Sequence, residues 1–449
     1  MTKKILSALK FGISNQLVNP DAINVISKLQ QNGYDGYIVG GGVRDLLLGK
    51  KPKDFDIVTD ATPEIVRKIF KRNGVIIGRR FKIVHVVFDH LNFDRMYNNR
   101  PAVEKHIMEI STYRSLKINN HTLNQYGKIM VDNNYGNQKD DSTRRDFTIN
   151  AMYYDPIKEI IIDYHNGMKD LQNKSLTIIG DPQKRYIEDP VRILRAIRLS
   201  IKLGLTIADN TSSCFDEAKK LLVHEHLGRM YEEMLKILLS GYAFDCIKKL
   251  KDFGLPKRVF VLFDKLFFGE NQDEIALKIL EKTDERLREN ATISTMFILA
   301  GLLWSTVNKT WQKKIFDGES PRLALSDAIY NCKQYAVDAG INRGAYSAMT
   351  DVWLLQYDFE NPTLKKLDRT FNNGRFRQAL HLYNLRSELG EVDHKLNTWW
   401  NAYIEETENE NKLQMLDQLT QIIGERSSSK PKRRRKKAIP DHTRLDKQR

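Results

Sequence analysis

Residues 40–61, GGGVRDLLLGKKPKDFDIVTDA, set two carboxylates, Asp54 and Asp56, one residue apart in an apolar, strand-like run. Side chains on a strand alternate between faces, so the pair shares one side while Phe55 turns into the core. Two carboxylates held close raise each other's pKa unless a cation sits between them, and hard divalent ions such as Mg2+ take oxygen ligands of this kind. A shared metal removes the repulsion; a solvated strand end is the plain alternative. Gly40, Gly41 and Gly42 lie just upstream, where glycine lets the backbone approach an anion and the amides at a helix start form a phosphate nest. Taken alone, such glycines equally well make a tight strand-to-helix connection.

The surrounding periodicity is mixed. DAINVISKLQQN (21–32) and TPEIVRKIFKRNG (62–74) have helical spacing with stop signals behind them, as does a shorter segment at about 43–49. YDGYIVGG, DFDIVTD, GVIIGRRFKIVHVVF and HIMEISTYR read as strands. This alternation to about residue 165 predicts an α+β head with a mixed sheet over 21–165, preceded by an N-terminal extension over 1–20. The polar stretch 115–143 is expected to be a mobile loop. Beyond about residue 185 the spacing is helical, giving an all-helical neck (166–265) and body (266–425) separated near 265–273. In the strand HIMEISTY, Glu109 shares a face with Ile107, Ser111 and Tyr113. If that strand neighbours the Asp54 strand, three carboxylates meet and can hold two ions.

With 449 residues, 41% of them hydrophobic, the chain can bury a large core. The longest apolar run, TMFILAGLLW (295–304), is too short to span a bilayer, and no charged-then-apolar leader opens the sequence. A soluble protein is expected. The three cysteines, Cys214, Cys246 and Cys332, show no CxxC spacing, so neither a disulfide framework nor a zinc site is indicated, which fits a reducing cytoplasm. The net charge is +15. Residues 426–449 hold eleven Lys or Arg and two Asp, so +9 of that surplus sits in the last 24 residues. A stretch so charged and so poor in apolar residues predicts a disordered arm, either solubilising or suited to a polyanion; Lys432, Arg433, Arg434, Arg435, Lys436 and Lys437 are its densest part.

Four segments in order resemble the motifs of the class II nucleotidyltransferases of the polymerase beta superfamily, the tRNA CCA-adding enzymes and bacterial poly(A) polymerases. They are GGGVRDLLLGKKPKDFD (40–56), RRDFTINAMYYD (144–155), DYHNGMKDL (163–171) and EDPVRILRAIR (188–198). The resemblance implies a polymerase-beta-like head and a helical neck, with Asp54 and Asp56 as metal ligands and Glu109 as the third acid. Asp89 and Asp94 are nearby acids that could take that third place. It also implies that Gly40, Gly41, Arg44 and Asp45 hold the nucleotide, together with Arg144 and Arg145, whose guanidinium forks suit triphosphate oxygens. Asp146 is expected among the catalytic residues, orienting the arginines or accepting a ribose hydroxyl. Asp189 reads as an N-cap before a helix on which Arg192, Arg195 and Arg198 recur every three residues. A capped helix with a basic face explains that spacing; the family reading adds that Asp189 and Arg192 face the incoming base.

Within the family, GVIIGRRFKIVHVVF (74–88) is similar to the stretch that marks the poly(A) polymerase branch, through Gly78, Arg79, Arg80, Phe81 and His85. Arg79 and Arg80 are expected to grip triphosphate or RNA, while His85 reads as a core histidine. RMYEEMLKILLSG (229–241) and the pair Trp399–Trp400 resemble the neck helix and the C-terminal end of the same branch. The expectation is a template-independent adenylyltransferase using ATP and two Mg2+ ions, or Mn2+ in their place. It would act on RNA 3′ ends regardless of sequence, as a monomer that works with the RNA-decay machinery. A CCA-adding enzyme is the near alternative. A non-catalytic RNA-binding protein is the alternative of another class, disfavoured by the intact Asp54, Asp56 and glycine turn; a DNA- or membrane-surface-binding protein leaves the motifs unexplained.

Overall fold

The computed structural model describes residues 2–78, 81–97, 100–116, 134–256, 261–268 and 273–429. The chain divides into two compact units, residues 1–268 and 269–449. Among the described residues no helix is long and apolar enough to cross a membrane, and the three cysteines are free thiols.

The first unit runs β1 (Lys4–Ser7), α1 (Pro20–Gln31), β2 (Tyr37–Val39), α2 (Gly41–Leu47), β3 (Asp56–Thr59), α3 (Pro63–Phe70), β4 (Gly74–Ile77), β5 (Ile83–Tyr97) and β6 (Arg100–Thr112). It continues through α4 (Gln138–Arg144), β7 (Tyr153–Asp155), β8 (Ile160–Asp163), α5 (Gly167–Gln172), α6 (Pro182–Glu188) and α7 (Arg192–Leu203). Eight described strands form one sheet in the order β1, β8, β7, β2, β3, β6, β5, β4. β3 and β6 are parallel, with Ile57 opposite Ile110; the other neighbours are antiparallel. The head is thus a mixed sheet with helices, and the remainder of the chain is largely helical, as the change of periodicity implies.

Apolar residues at helical spacing explain the layer over the sheet: Val25, Ile26 and Leu29 of α1 and Val66 and Phe70 of α3 are buried, and both helices open on proline behind a capping Asn19 or Thr62. A second cluster joins Tyr37, Val39, Val58, Tyr113, Tyr153, Ile162 and Tyr164. Tyr153 meets the rings of Tyr37, Tyr113 and Tyr164 edge-on at 6.3–6.5 Å. The phenols keep partners at the cluster's rim, Tyr113 donating to Asp35, Tyr153 to Asp141 and Tyr164 to Gln138, as buried hydroxyls require.

Two sequence expectations are corrected. Residues 1–20 are not an extension, because Lys4–Ser7 pairs with β8, Lys4 opposite Asp163, and forms an edge of the sheet. The strand is only four residues long and half exposed, so it has no extended alternation to announce it. The described end of the polar stretch 115–143 is not a loop either. Arg114 bridges to Tyr135, and α4 starts behind Asn137, whose side chain accepts from the Asp140 amide at 2.9 Å. A cap and two acids in the first turn outweigh the polar composition. Residues 117–133 lie outside the described residues.

DYHNGMKDL is a structural bolt. Asp163 is 1% exposed and accepts from the amides of His165, Gly167 and Met168 at 2.9–3.1 Å, while Asp170 takes the Thr148 hydroxyl at 2.6 Å. Farther along, α7 ends at Gly204 and the helix Ala243–Phe253 at Gly254, both at positive φ. Behind α7 the chain forms the short helical segments Asp209–Ser212, Phe215–Ala218 and Lys219–His224.

In the second unit the described elements are helical. Its core is built on Trp304, Trp311, Trp353 and Trp400, with Arg386 buried among them. That guanidinium lies 4.3 Å from the Trp304 ring centroid and is neutralised by Glu360 at 2.6 Å and Glu391 at 3.1 Å. The last helix, Asn409–Ser429, runs past residue 426, where the arm was expected to begin.

A side chain at Gly167 has no room, since its Cβ would stand 2.3 Å from the Thr148 carbonyl oxygen. Gly167→Ala should therefore cost about 2 kcal/mol or more, read as a lower denaturant midpoint with unchanged slope; an unchanged midpoint would remove the bolt.

Candidate active site

β2 and β3 pair with Val39 opposite Asp56, so the glycine turn following β2 leaves the sheet beside the aspartates. Gly40 has φ 75° and ψ −133°, a conformation open to glycine and strained for other residues. A methyl group there would stand 3.7 Å from Arg145 Nη1 and 3.9 Å from Asp56 Oδ2. Turn backbone, guanidinium and carboxylate thus frame one space. Arg44, expected with Asp45 to hold the nucleotide, is buried. Its Nε and Nη2 meet Asp45 Oδ1 at 2.8 and 2.7 Å, and its Nη1 donates to Asn150 at 2.8 Å. The pair ties α2 to the Thr148–Asn150 turn, and a Cβ on Gly41 would lie 3.3 Å from Arg44 Nη2.

Asp54 precedes β3 rather than lying in it, and Asp56 is the strand's first residue; both are exposed, with buried Phe55 between them. The parallel register that sets Ile57 opposite Ile110 brings Glu109 alongside Asp56. Asp89 sits on β5 opposite Lys105, away from β3, and the side chain of Asp94 lies outside the described residues. His85 is opposite Glu109 on β5, with Nε2 3.8 Å from Oε2. This half-exposed histidine faces the acids, not the core.

Packing against neighbouring protein raises the Asp56 carboxyl above its ordinary pKa even though its edge is open to solvent; Arg145 opposes the rise and Asp54 adds to it. Burial also raises Glu109, reinforced by Asp56 and by Asp54 and opposed by His85 and Arg114. Asp56 and Glu109 therefore both feel neighbouring acidic charge. An all-carboxylate donor set whose charges disfavour ionisation fits a hard divalent cation. Among the described residues, a set of three donor atoms already within 4.8 Å of one another occurs elsewhere, at Asp21, His90 and His106.

Arg145 follows α4. Its Nε and Nη2 meet Asp141 Oδ2 at 3.2 and 3.0 Å, and its guanidinium carbon lies 5.5 Å from the Tyr153 ring centroid. Burial opposes its charge, but Asp141 and Tyr153 more than restore it. Arg144 instead donates to the Ser115 carbonyl at 2.8 Å. Asp146 does not join the three acids. Its oxygens serve Arg195 Nη1 at 2.8 Å, the Phe147 amide at 2.8 Å and Asn150 at 3.2 Å. Burial pushes its carboxyl up, yet Arg195 and these hydrogen bonds bring it down to about 2.

Asp189 ends α6 rather than capping α7; its Oδ1 accepts from the Val191 amide at 3.2 Å and its Oδ2 pairs with Arg229 at 2.5 Å. Arg192 donates to the Arg185 carbonyl and lies 3.3 Å from Glu188. Arg195 and Arg198 converge on Glu233, at 3.6 and 2.7 Å, which is only 2% exposed. Arg229 and Glu233 were missed in the sequence. The available signal was an acid at an apolar position, since Met230, Met234 and Ile237 of the same helix are buried. Arg79, Arg80 and the tail residues Lys432, Arg433, Arg434, Arg435, Lys436 and Lys437 lie outside the described residues.

Comparison with known proteins matches residues 36–177 to the poly A polymerase head domain, 204–270 to the probable RNA and SrmB-binding site of polymerase A, and 317–438 to the polymerase A arginine-rich C-terminus. The chain is 32% identical to poly(A) polymerase I of Haemophilus influenzae, covering 97% of this chain and 93% of that one. A CCA-adding enzyme of Bacillus pumilus is 34% identical over 51% of this chain and 52% of its own. The CCA-adding enzyme of Bacillus stearothermophilus, solved with CTP, shares the fold at a TM-score of 0.53 and 22% identity, covering 85% of this chain and 81% of that one.

A carboxylate whose folded pKa is raised destabilises the fold once ionised, so this cost is absent below its ordinary pKa and appears as pH rises through the raised value. Asp56→Asn should therefore melt higher than the parent chain at neutral pH in metal-free buffer, and added Mg2+ should narrow the gap. Equal melting without metal would contradict the mutual repulsion.

Proposed function

The chain belongs to the bacterial poly(A) polymerase family, and from that premise we propose that its head transfers AMP from ATP to the 3′ hydroxyl of RNA without a template, releasing pyrophosphate. The observation that carries this reading is the β3–β6 register that sets Glu109 alongside Asp56, with Asp56 and Arg145 both close to the Gly40 turn. Similarity to poly(A) polymerase I across nearly the whole chain, against half for the CCA-adding relative, supports poly(A) over CCA addition.

A family of this kind uses a nucleotide and a divalent metal. In our reading Asp54 and Asp56 hold that cation, as two Mg2+ ions with Glu109 as the third ligand. Bound there, it would supply Lewis-acid chemistry, lowering the pKa of the attacking hydroxyl and offsetting charge on the triphosphate. The chain's own groups do the positioning. Gly40 lets triphosphate oxygens approach the turn, and Arg145, held by Asp141, offers its free edge to them. Arg44 with Asp45 fixes the turn from behind. Asp189, at the end of α6, and Arg192, the first residue of α7, address the adenine edge, and the Asp146–Arg195–Glu233–Arg198 chain of charges keeps α7 in place. The basic tail holds RNA through phosphates, which carry no sequence information. The same reading makes the protein a cytoplasmic monomer acting with the RNA-decay machinery.

Purified protein with Mg2+, labelled ATP or CTP, a generic RNA and a tRNA lacking its CCA end tests this directly. Long ATP-dependent tails on the generic RNA are expected, whereas C followed by A on the tRNA alone would overturn the assignment. Asp54→Ala should abolish incorporation with RNA binding nearly intact; surviving activity would exclude Asp54 as a ligand. Deleting 426–449 should weaken RNA binding and flatten its log–log salt dependence by about 0.7 for each phosphate the tail neutralises, and an unchanged slope would remove the tail from RNA binding.

A further inference from the structure

On the hairpin that carries Glu109, two histidines converge on a buried carboxylate. Asp21, the second residue of α1, is 8% exposed. Its Oδ2 lies 2.8 Å from His90 Nε2 and 2.7 Å from His106 Nδ1. His106 stands opposite Phe88 on β5, and His90 is two residues beyond Phe88, so both rings rise from one face of the sheet as diagonal neighbours. Their centroids are 5.8 Å apart at an interplanar angle of 68°. Glu109, three residues beyond His106, faces the other side. The cluster is thus separate from the carboxylates of the active site. Asn19, whose Oδ1 accepts from the Asp21 amide, brings its Nδ2 to 3.4 Å from His106 Nε2.

We propose that Asp21, His90 and His106 bind one divalent transition-metal ion of the Zn2+ class, pinning the β5–β6 hairpin to the start of α1. Two imidazoles and a carboxylate are a set that Zn2+ takes and Mg2+ does not favour, with a fourth position left to water. The three donor atoms lie within 4.8 Å of one another. Zinc–ligand bonds of about 2.0–2.1 Å set tetrahedral donors about 3.3 Å apart, so the oxygen and the rings part by roughly 0.5 Å. The side chains of His90 and His106, 55% and 44% exposed, have room for this. On binding, each ring carries its proton on the nitrogen it does not use, so the Asn19 amide, whose Nδ2 faces His106 Nε2, turns from that ring, and the ion replaces both hydrogen bonds to Asp21. The two strands that ladder from His90 to His85, and from His106 to Glu109, are then tied to the helix beneath them.

The test uses the full chain, stripped with chelator and titrated with ZnCl2, with CoCl2 as a spectroscopic probe. One Zn2+ per chain is expected, with a melting shift of about 5 °C at a hundred-fold excess over Kd and a visible Co2+ absorption of tetrahedral intensity. His90→Gln and His106→Gln, at partly exposed positions, should fold as the parent does by circular dichroism yet lose affinity at least ten-fold, while Asp54→Ala should retain it. The proposal fails if ZnCl2 produces no shift, if the double histidine variant binds as tightly as the parent, or if Asp54→Ala removes the binding.

Discussion

The parallel ladder between β3 and β6 is the constraint on which the head's chemistry depends. It joins strands more than forty residues apart and fixes Glu109 beside Asp56. Because side chains alternate, a slip of one residue would turn Glu109 to the opposite face and leave Asp54 and Asp56 without a third acid. The register is held by what lies on either side. Ile57, Val58 and Ile110 are fully or almost fully buried, and the turn after β3 is closed by Thr112 donating to the Ala61 carbonyl at 2.7 Å. Apolar burial thus sets the positions of three charges that repel one another.

Behind that edge, charges are arranged so that few are free. Arg145 is held by Asp141, Arg195 by Asp146 and Glu233, Arg198 by Glu233, Arg44 by Asp45. Buried pairs gain little net stability, since desolvation offsets attraction, but removing one partner strands the other at a cost of about 3–5 kcal/mol. Their effect is therefore directional. Asp146, drawn down to about 2, stays ionised across the working range and keeps Arg195 in one orientation. Asp56 and Glu109 are shifted the other way by burial and by neighbouring acids.

How much of this was legible in the sequence follows from how local each signal is. The shared face expected of Asp54 and Asp56 rests on a two-residue period, but Asp54 lies just outside the strand and is linked to Asp56 through the effect of its charge. Glu109 was identified as one acid in an apolar strand, but its neighbour depended on the sheet order. The sequence could not reveal that adjacent Arg44 and Asp45 satisfy each other, because side-chain rotamers leave no sequence pattern, or that Asp189 pairs with Arg229, because pairing across forty residues leaves no periodicity. β1 was too short to alternate, and α4 was masked by polar composition despite its Asn137 cap. The Asp21, His90 and His106 cluster joins three elements, so a search for closely spaced metal ligands passes over it.

The same electrostatics couples the substrates to one another. Carboxylates at the open edge repel a nucleoside triphosphate and an RNA end, since like charges repel, so neither polyanion gains by entering alone. A cation relieves both repulsions at once, and its affinity must therefore rise when nucleotide is bound, by the factor by which nucleotide affinity rises with the cation. Arg145 cannot do this alone, because Asp141 and Tyr153 already use much of its charge and hydrogen-bonding capacity. The surplus of +9 in the last 24 residues, in the role proposed for it, would act differently, raising the local concentration of RNA without regard to sequence. In that reading, local charge at the strand edge sets whether transfer can occur, and distributed charge in the tail sets how readily polyanions come within reach of it.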